Sequence, residues 1–253
     1  MDPLLDFTGK VAVITGAAQG FGKLLAEALA QRGAKLVISD VNEAGVKKVA
    51  DEIASTGAEI IALKCDVSKN EDCKAMVDKA IENFGRVDIG VNNAGVAHGF
   101  NAFHEIDEAL MDSQFAVNVK GVQFGMSHQI AQMLKQEGGA ILNVSSMAGL
   151  SGAPKVGAYA MAKHAVIGLT KTAAVEYGRH NIRVNAICPF FTLTQMVTDM
   201  ADISMQDKMS RGAPMKRLGE PKEIVAMMLM MLSPENTYMT GQCIAIDGGV
   251  SAA

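Results

Sequence analysis

Along the chain, short runs of apolar and β-branched residues alternate with longer segments in which apolar positions recur every three or four residues. The short runs fall at 11–14, 36–38, 60–63, 87–91, 141–144, 182–187 and 244–246. They are nearly all apolar, as strands are when both faces of a sheet are covered. Helix-length segments separate them, which implies parallel pairing through right-handed crossovers. The expected fold is α/β: a doubly wound, Rossmann-type, seven-stranded parallel sheet with helices on both faces.

One stretch departs from this alternation. Residues 190–222 carry a helix-like pattern with Met196, Met200, Met205 and Met209, followed by the turn-rich Gly212-Ala213-Pro214 and Gly219-Glu220-Pro221. Such a stretch is either an extra helix packed on the domain or a lid over an apolar substrate. It follows the carboxyl end of a strand, where open α/β sheets bind ligands. With no internal repeat, low-complexity tract or linker, residues 1–253 read as a single domain bearing a substrate lid at about 190–222.

Composition narrows the function classes. The chain has 253 residues, 49% of them hydrophobic and 20% charged, which suits one α/β domain of roughly 200–250 residues. A net charge of −4 leaves no basic footprint, so nucleic acid is not expected as a partner. The first residues lack a basic region followed by an apolar one, and no later run reaches the ~18 apolar residues of a membrane span. A soluble, cytoplasmic protein without membrane contact is the expectation. The four cysteines, Cys65, Cys73, Cys188 and Cys243, form no CxxC pair and no Cys/His ligand spacing. They read as free or buried thiols, and no metal site is expected.

After the first strand comes Thr15-Gly16-Ala17-Ala18-Gln19-Gly20-Phe21-Gly22. Glycines permit positive φ and close backbone approach, and the helix that follows offers unpaired N–H groups to a pyrophosphate. Asp40 ends the second strand, where a carboxylate can accept hydrogen bonds from an adenosine ribose and would repel a ribose phosphate. Positions 17 and 18 are alanines, and Val41 and Asn42 are uncharged, so little is present to neutralise a 2′-phosphate. NAD is the expected cofactor. Cys65-Asp66-Val67 and Asn92-Asn93-Ala94-Gly95 fall at the same sheet edge, after the third and fourth strands.

Tyr159-Ala160-Met161-Ala162-Lys163 supplies the reactive pair. Residues four apart on a helix share a face. A free phenol has a pKa of about 10, and lowering it by ~3 units corresponds to roughly 4 kcal/mol, so a cation beside it is needed for base chemistry at neutral pH. Ser146 lies thirteen residues before Tyr159; it or its neighbour Ser145 can donate to a substrate oxygen as an alkoxide develops. Of the histidines, His98 and His104 read as loop residues, and no G-x-S-x-G elbow supports hydrolase chemistry.

Taken in order, these motifs resemble the classical short-chain dehydrogenase/reductase family, from Gly9-Lys10 to Asp247-Gly248-Gly249. The resemblance implies a catalytic set of Asn118, Ser146, Tyr159 and Lys163: Tyr159 as general acid/base, Lys163 holding the nicotinamide ribose and lowering the phenol pKa, Ser146 orienting substrate, and Asn118 supporting a proton-relay water through local backbone geometry. It places cofactor contacts at Gly16, Gln19, Gly20, Phe21, Gly22, Asp40, Asp66, Val67, Asn93, Ala94, Gly95, Tyr159, Lys163, Pro189, Thr192 and Thr194. The family's spacing selects Ser146 over Ser145. Where the family has Pro-Gly before a threonine, this chain reads Pro189-Phe190-Phe191-Thr192, which leaves the shape of that turn open.

The resulting expectation is an NAD-dependent oxidoreductase moving a hydride between nicotinamide and a secondary alcohol or ketone. Phe190, Phe191, Met147 and Leu150 point to an apolar, cyclic or aromatic substrate. The alternatives are an NADP-dependent 3-ketoacyl-type reductase and a catalytically silent nucleotide-sensing protein of the same fold. The resemblance also implies a homotetramer built on helices around Ala109 to Leu134 and Tyr159 to Tyr177.

Overall fold

The computed structural model describes residues 2–253. Seven strands form one parallel sheet: β1 (Val11–Thr15), β2 (Lys35–Asp40), β3 (Ile60–Lys64), β4 (Ile89–Asn92), β5 (Gly139–Val144), β6 (Ile182–Pro189) and β7 (Cys243–Ile246). Their spatial order is β3-β2-β1-β4-β5-β6-β7. The chain therefore winds outward from β1 in one direction and from β4 in the other. Ile14 pairs with Val91, so Thr15 and Asn92 end their strands side by side where the order reverses.

Alternation along each strand divides the core into two layers. On β1, Ala12 and Ile14 join Leu36 and Ile38 of β2 on one face, together with Leu25 and Leu29 of α1 (Gly20–Ala30), Val46 and Ile53 of α2 (Glu43–Ala54), and Met228 and Leu232 of α9 (Pro221–Leu232). Val11, Val13 and Val37 face the other way. They meet Met76 and Val77 of α3 (Asn70–Phe84), Met126 and Ile130 of α5 (Gly121–Met133), and Val166 of α6 (Gly157–Tyr177). Side chains at successive strand positions point to opposite faces, so an all-apolar run fills both layers at once.

Two helical regions differ from the sequence expectation. Within 190–222 there are two helices, α7 (Gln195–Met200) and α8 (Ile203–Gly212). Ala201 is extended, and the Asp202 carboxylate accepts from the Met205 N–H at 2.8 Å, which ends one helix and starts the next. The excursion closes on itself through a parallel bridge between Thr192 and Gly219, with Gly219 N–H donating to Phe191 O at 3.0 Å. Between α4 (Glu108–Phe115) and α5, residues Ala116–Lys120 form a π-helical turn. Met111, Phe115 and Leu134 on this unit, and Val175 on α6, are exposed.

A buried amide network joins the sheet to the helices behind the site. Asn92 Nδ2 donates to Gln129 Oε1 (3.1 Å) and to Asn143 Oδ1 (2.9 Å), Gln129 Nε2 returns a bond to Asn92 Oδ1 (3.1 Å), and Asn143 Nδ2 donates to Thr170 Oγ1 (2.9 Å). Asn92, Gln129, Asn143 and Thr170 are all buried. Gly90 and Gly125 leave room for the amides, since a Cβ on either would run into Gln129 or Asn92. An apolar side chain in this network orphans a buried amide, at a cost of about 1–3 kcal/mol. Gln129→Leu is therefore expected to lower the unfolding free energy by about that amount, read from urea titrations of the two proteins; an equal midpoint and slope would show the network to be dispensable.

Candidate active site

The carboxyl ends of the central strands open into a cavity of about 850 Å³. Its wall includes the β1–α1 turn, the ends of β2 to β6, the start of α6, and the methionine-bearing excursion.

At one end, the glycine turn is locked to the turn after β4. Thr15 Oγ1 accepts from the N–H groups of Asn93 (3.0 Å) and Ala94 (3.1 Å), and Asn93 Nδ2 donates to Thr15 O and Gly16 O, both at 2.9 Å. Gly16 adopts φ +66°, and a Cβ there would lie 2.8 Å from Ala94 Cα. Gly22 packs so closely that its Cβ would strike Gly16 O. No larger residue fits either position, so glycine is dictated by the approach of two protein segments as much as by any ligand.

The turn suits a pyrophosphate. Gln19 precedes α1 and makes no side-chain cap, so the first amides of the helix keep no such acceptor while Gln19, Gly20 and Phe21 line the cavity. Asp40 is also on the wall. Its Oδ2 accepts from the Ala18 N–H (3.0 Å) and its Oδ1 from the Asn42 N–H (2.9 Å); these bonds aim the carboxylate and leave each oxygen a further lone pair. Asp66 and Val67 form the adjoining wall with Ala94 and Gly95. The Ser68 hydroxyl, at 2.6 Å, holds the Asp66 carboxyl below its ordinary pKa.

Ser146, Tyr159 and Lys163 meet farther along the same cavity. Ser145 and Ser146 separate clearly: Ser145 Oγ donates to Lys163 O at 2.9 Å, while Ser146 Oγ accepts from the Ala148 N–H at 3.1 Å and stands beside the phenol. Lys163 is buried, its Nζ donating to Val144 O at 2.8 Å and lying 5.5 Å from the Tyr159 ring centre. Asn118 is fully buried in the π-helical turn and does not reach the wall. Its Nδ2 donates to Val96 O (2.8 Å) and Gln114 Oε1 (2.8 Å), and its Oδ1 accepts from the Val96 N–H (2.9 Å). Its amide is a positioning element for the loop after β4. Gly22 is likewise a packing position and not a wall residue.

At the other end lie Pro189, Phe190, Phe191, Thr192 and Thr194, with Met147, Met196, Met200, Met205 and Met209. The turn that lacks the expected glycine forms without strain: Phe190 is not among the positive-φ residues, and its N–H donates to Ile246 O at 3.1 Å. Phe190 and Phe191 pack edge to face at 4.7 Å. Thr192 Oγ1 donates to Phe190 O at 2.9 Å, and Thr194 makes no side-chain cap to α7.

Residues 16–251 match a family model described as enoyl-(acyl carrier protein) reductase. An uncharacterised oxidoreductase of Thermotoga maritima is 42% identical, with 98% of this chain and 100% of that protein aligned. The chain belongs to the classical short-chain dehydrogenase/reductase family. A cyclohexanol dehydrogenase of Acinetobacter sp. is 36% identical over 97% of this chain and 96% of its own. A crystal structure of levodione reductase superimposes with a TM-score of 0.94 at 36% identity, covering 98% of this chain and 99% of that one. As a short-chain dehydrogenase/reductase, the chain is an oxidoreductase whose fold binds a nicotinamide cofactor.

Within this member of the family, two functional contacts had no signal in the local sequence. Thr15 is the acceptor on which the Asn93 turn hangs, and His98 lines the cavity while its Nε2 accepts from the Tyr159 N–H at 3.3 Å. His98 lies on a loop, as expected, and is buried there.

Burial dominates the electrostatics of the reactive pair. Burial pushes the Tyr159 phenol up to about 12, with Ser146 acting in the lowering direction, and burial pulls the Lys163 ammonium down to about 8. Desolvation dominates for both groups and drives each toward its neutral form. The Lys163 value lies below the ordinary 10.5, so between the two the unfolded chain binds more protons and this residue's contribution to stability rises with pH. Without cofactor, the unfolding free energy of the wild type relative to Lys163→Met is expected to climb from about pH 8 to about pH 10.5; a flat difference in denaturant midpoints would mean that the ammonium keeps its solvation.

Proposed function

We propose that the protein is an NAD-dependent dehydrogenase or carbonyl reductase acting on a secondary alcohol or ketone that is apolar, cyclic or aromatic. One observation carries the reading: a single cavity joins the Asp40 carboxylate, the Ser146, Tyr159 and Lys163 side chains, and a wall of methionine and phenylalanine.

The residues fit the group. Backbone amides at the start of α1 suit a pyrophosphate, Asp40 can accept from two ribose hydroxyls and repels a 2′-phosphate, and Thr192 and Thr194 stand where they can meet a carboxamide. Nicotinamide, when bound, supplies the hydride chemistry. Tyr159 Oη gives a proton to the carbonyl oxygen in reduction and takes it from the hydroxyl in oxidation. With its pKa near 12 the phenol holds its proton at neutral pH, ready for the reductive direction. Ser146 Oγ donates to the substrate oxygen and steadies the charge that develops there. Lys163 is mostly charged at pH 7 by its pKa of about 8, and its positive charge offsets the negative charge that proton loss leaves on Tyr159. The excursion carrying α7 and α8 serves as the lid, excluding water with its methionines.

A second reading, an NADP-dependent 3-ketoacyl-type reductase, is favoured by the acyl-carrier wording of the matching family model. Asp40 opposes it, for the reason given above. A silent nucleotide sensor is disfavoured by the intact Ser146, Tyr159 and Lys163 cluster.

The test is reduced-nicotinamide absorbance with a panel of linear, cyclic and aromatic secondary alcohols, each with NAD and with NADP. Cyclic or aromatic alcohols with NAD are expected to react, and Tyr159→Phe to lower kcat by about 10²- to 10⁴-fold while NADH still binds. Unchanged turnover in that variant removes the tyrosine from the mechanism. In the same assay, Asp40→Ala is expected to narrow the preference for NAD by about tenfold, or ~1.4 kcal/mol; equal preference in both proteins would reduce Asp40 to a turn residue.

A further inference from the structure

The helix that carries Tyr159 begins without a cap of its own. Val156 precedes α6 and offers no side-chain acceptor, so the amides of the first turn need partners from elsewhere. Tyr159 is the third residue of that helix, the position whose N–H a capping side chain usually takes. His98 Nε2 accepts that bond at 3.3 Å, reaching across from a loop 61 residues earlier.

The surroundings of the ring fix its tautomer. Nδ1 lies 2.6 Å from Gly99 O and 3.3 Å from Asn101 Oδ1. A carbonyl oxygen can only accept, so Nδ1 carries the hydrogen and Nε2 is left bare to receive the Tyr159 N–H. The loop itself is held at both sides. Asn118 grips Val96 through its N–H and its carbonyl, and Asn101 N–H donates to Lys155 O at 2.9 Å, just before α6.

We propose that His98 is a positioning residue for catalysis, a remote cap that sets the start of α6, and with it the Tyr159 phenol, against the cofactor-binding turn after β4. The inference rests on the reading of Tyr159 given above. Removing the acceptor lets the first turn of α6 fray, and a phenol displaced by about 1 Å can lose up to ~10²-fold in rate. His98→Gln keeps an acceptor oxygen at the reach of Nε2, whereas His98→Leu keeps bulk alone.

Three readouts decide it. Imidazole nitrogen shifts in the wild type are expected to show a protonated Nδ1 and a bare Nε2; a protonated Nε2 overturns the cap, and this measurement needs no variant. Exchange of the Tyr159 amide proton, which needs no substrate, is expected to quicken about tenfold in His98→Leu and to return to within about threefold of the wild type in His98→Gln. With the best alcohol of the panel, kcat is expected to follow the same pattern while the NADH dissociation constant stays within about twofold. Unchanged exchange in His98→Leu, or a His98→Gln protein as impaired as His98→Leu, overturns the proposal. Tyr159→Phe is run beside them: wild-type turnover there defeats the role given to Tyr159, and the exchange readout still decides whether His98 holds the helix.

Discussion

The site depends on one clamp at the point where the strand order reverses. β1 and β4 are neighbours whose chains leave in opposite directions, and that divergence opens the crevice. Thr15 and Gly16 on one side and Asn93 and Ala94 on the other bridge its floor with four hydrogen bonds of 2.9–3.1 Å. The glycines at 16 and 22 follow from this closeness, since the two turns approach to a distance that no Cβ tolerates. Below the floor, the amide network from Asn92 through Asn143 to Thr170 carries the same constraint to α5 and α6. The clamp and the network meet through the Asn92-Asn93 backbone, so the turn after β4 is tied to β1 on one side and to β5, α5 and α6 on the other.

Burial then sets the chemistry. A tyrosine and a lysine one helical turn apart would in water be an ordinary acid and an ordinary cation. Held among apolar neighbours, each is driven toward its neutral form, the phenol upward and the ammonium downward. Proximity alone therefore does not create a phenolate: 5.5 Å between the ammonium and the ring centre is outweighed by the loss of solvent, and the ammonium has turned to the Val144 carbonyl. Ser146, beside the phenol, acts in the lowering direction against that burial.

The sheet was legible because buried parallel strands announce themselves as apolar runs, and the cluster of Ser146, Tyr159 and Lys163 because its members sit at fixed spacing on one strand end and one helix. Other features were hidden for stated physical reasons. Met196, Met200, Met205 and Met209 nearly keep a helical period, which masked the break that the Asp202 cap imposes between α7 and α8. Nothing in residues 116–120 encodes a π-helical turn locally. Thr15 and His98 act on partners 78 and 61 residues away, a separation over which hydrophobic periodicity carries no information. Asn118 was expected to act through local backbone geometry, and the partners that fix that geometry, Val96 and Gln114, appear only in the folded structure.

The bridge between Thr192 and Gly219 closes the neck of the methionine-bearing excursion against the sheet. Everything beyond the neck rests on a small core of its own, in which Ala201, Met209 and Leu218 pack with Phe191, Val197 and Met205. The β6–β7 pairing, Ala186 to Pro189 against Cys243 to Ile246, uses no residue of the excursion, and lengthening a closed loop carries only a small entropic penalty. The excursion is accordingly a separately packed annex, joined to the sheet by a narrow neck, that forms one wall of the cavity.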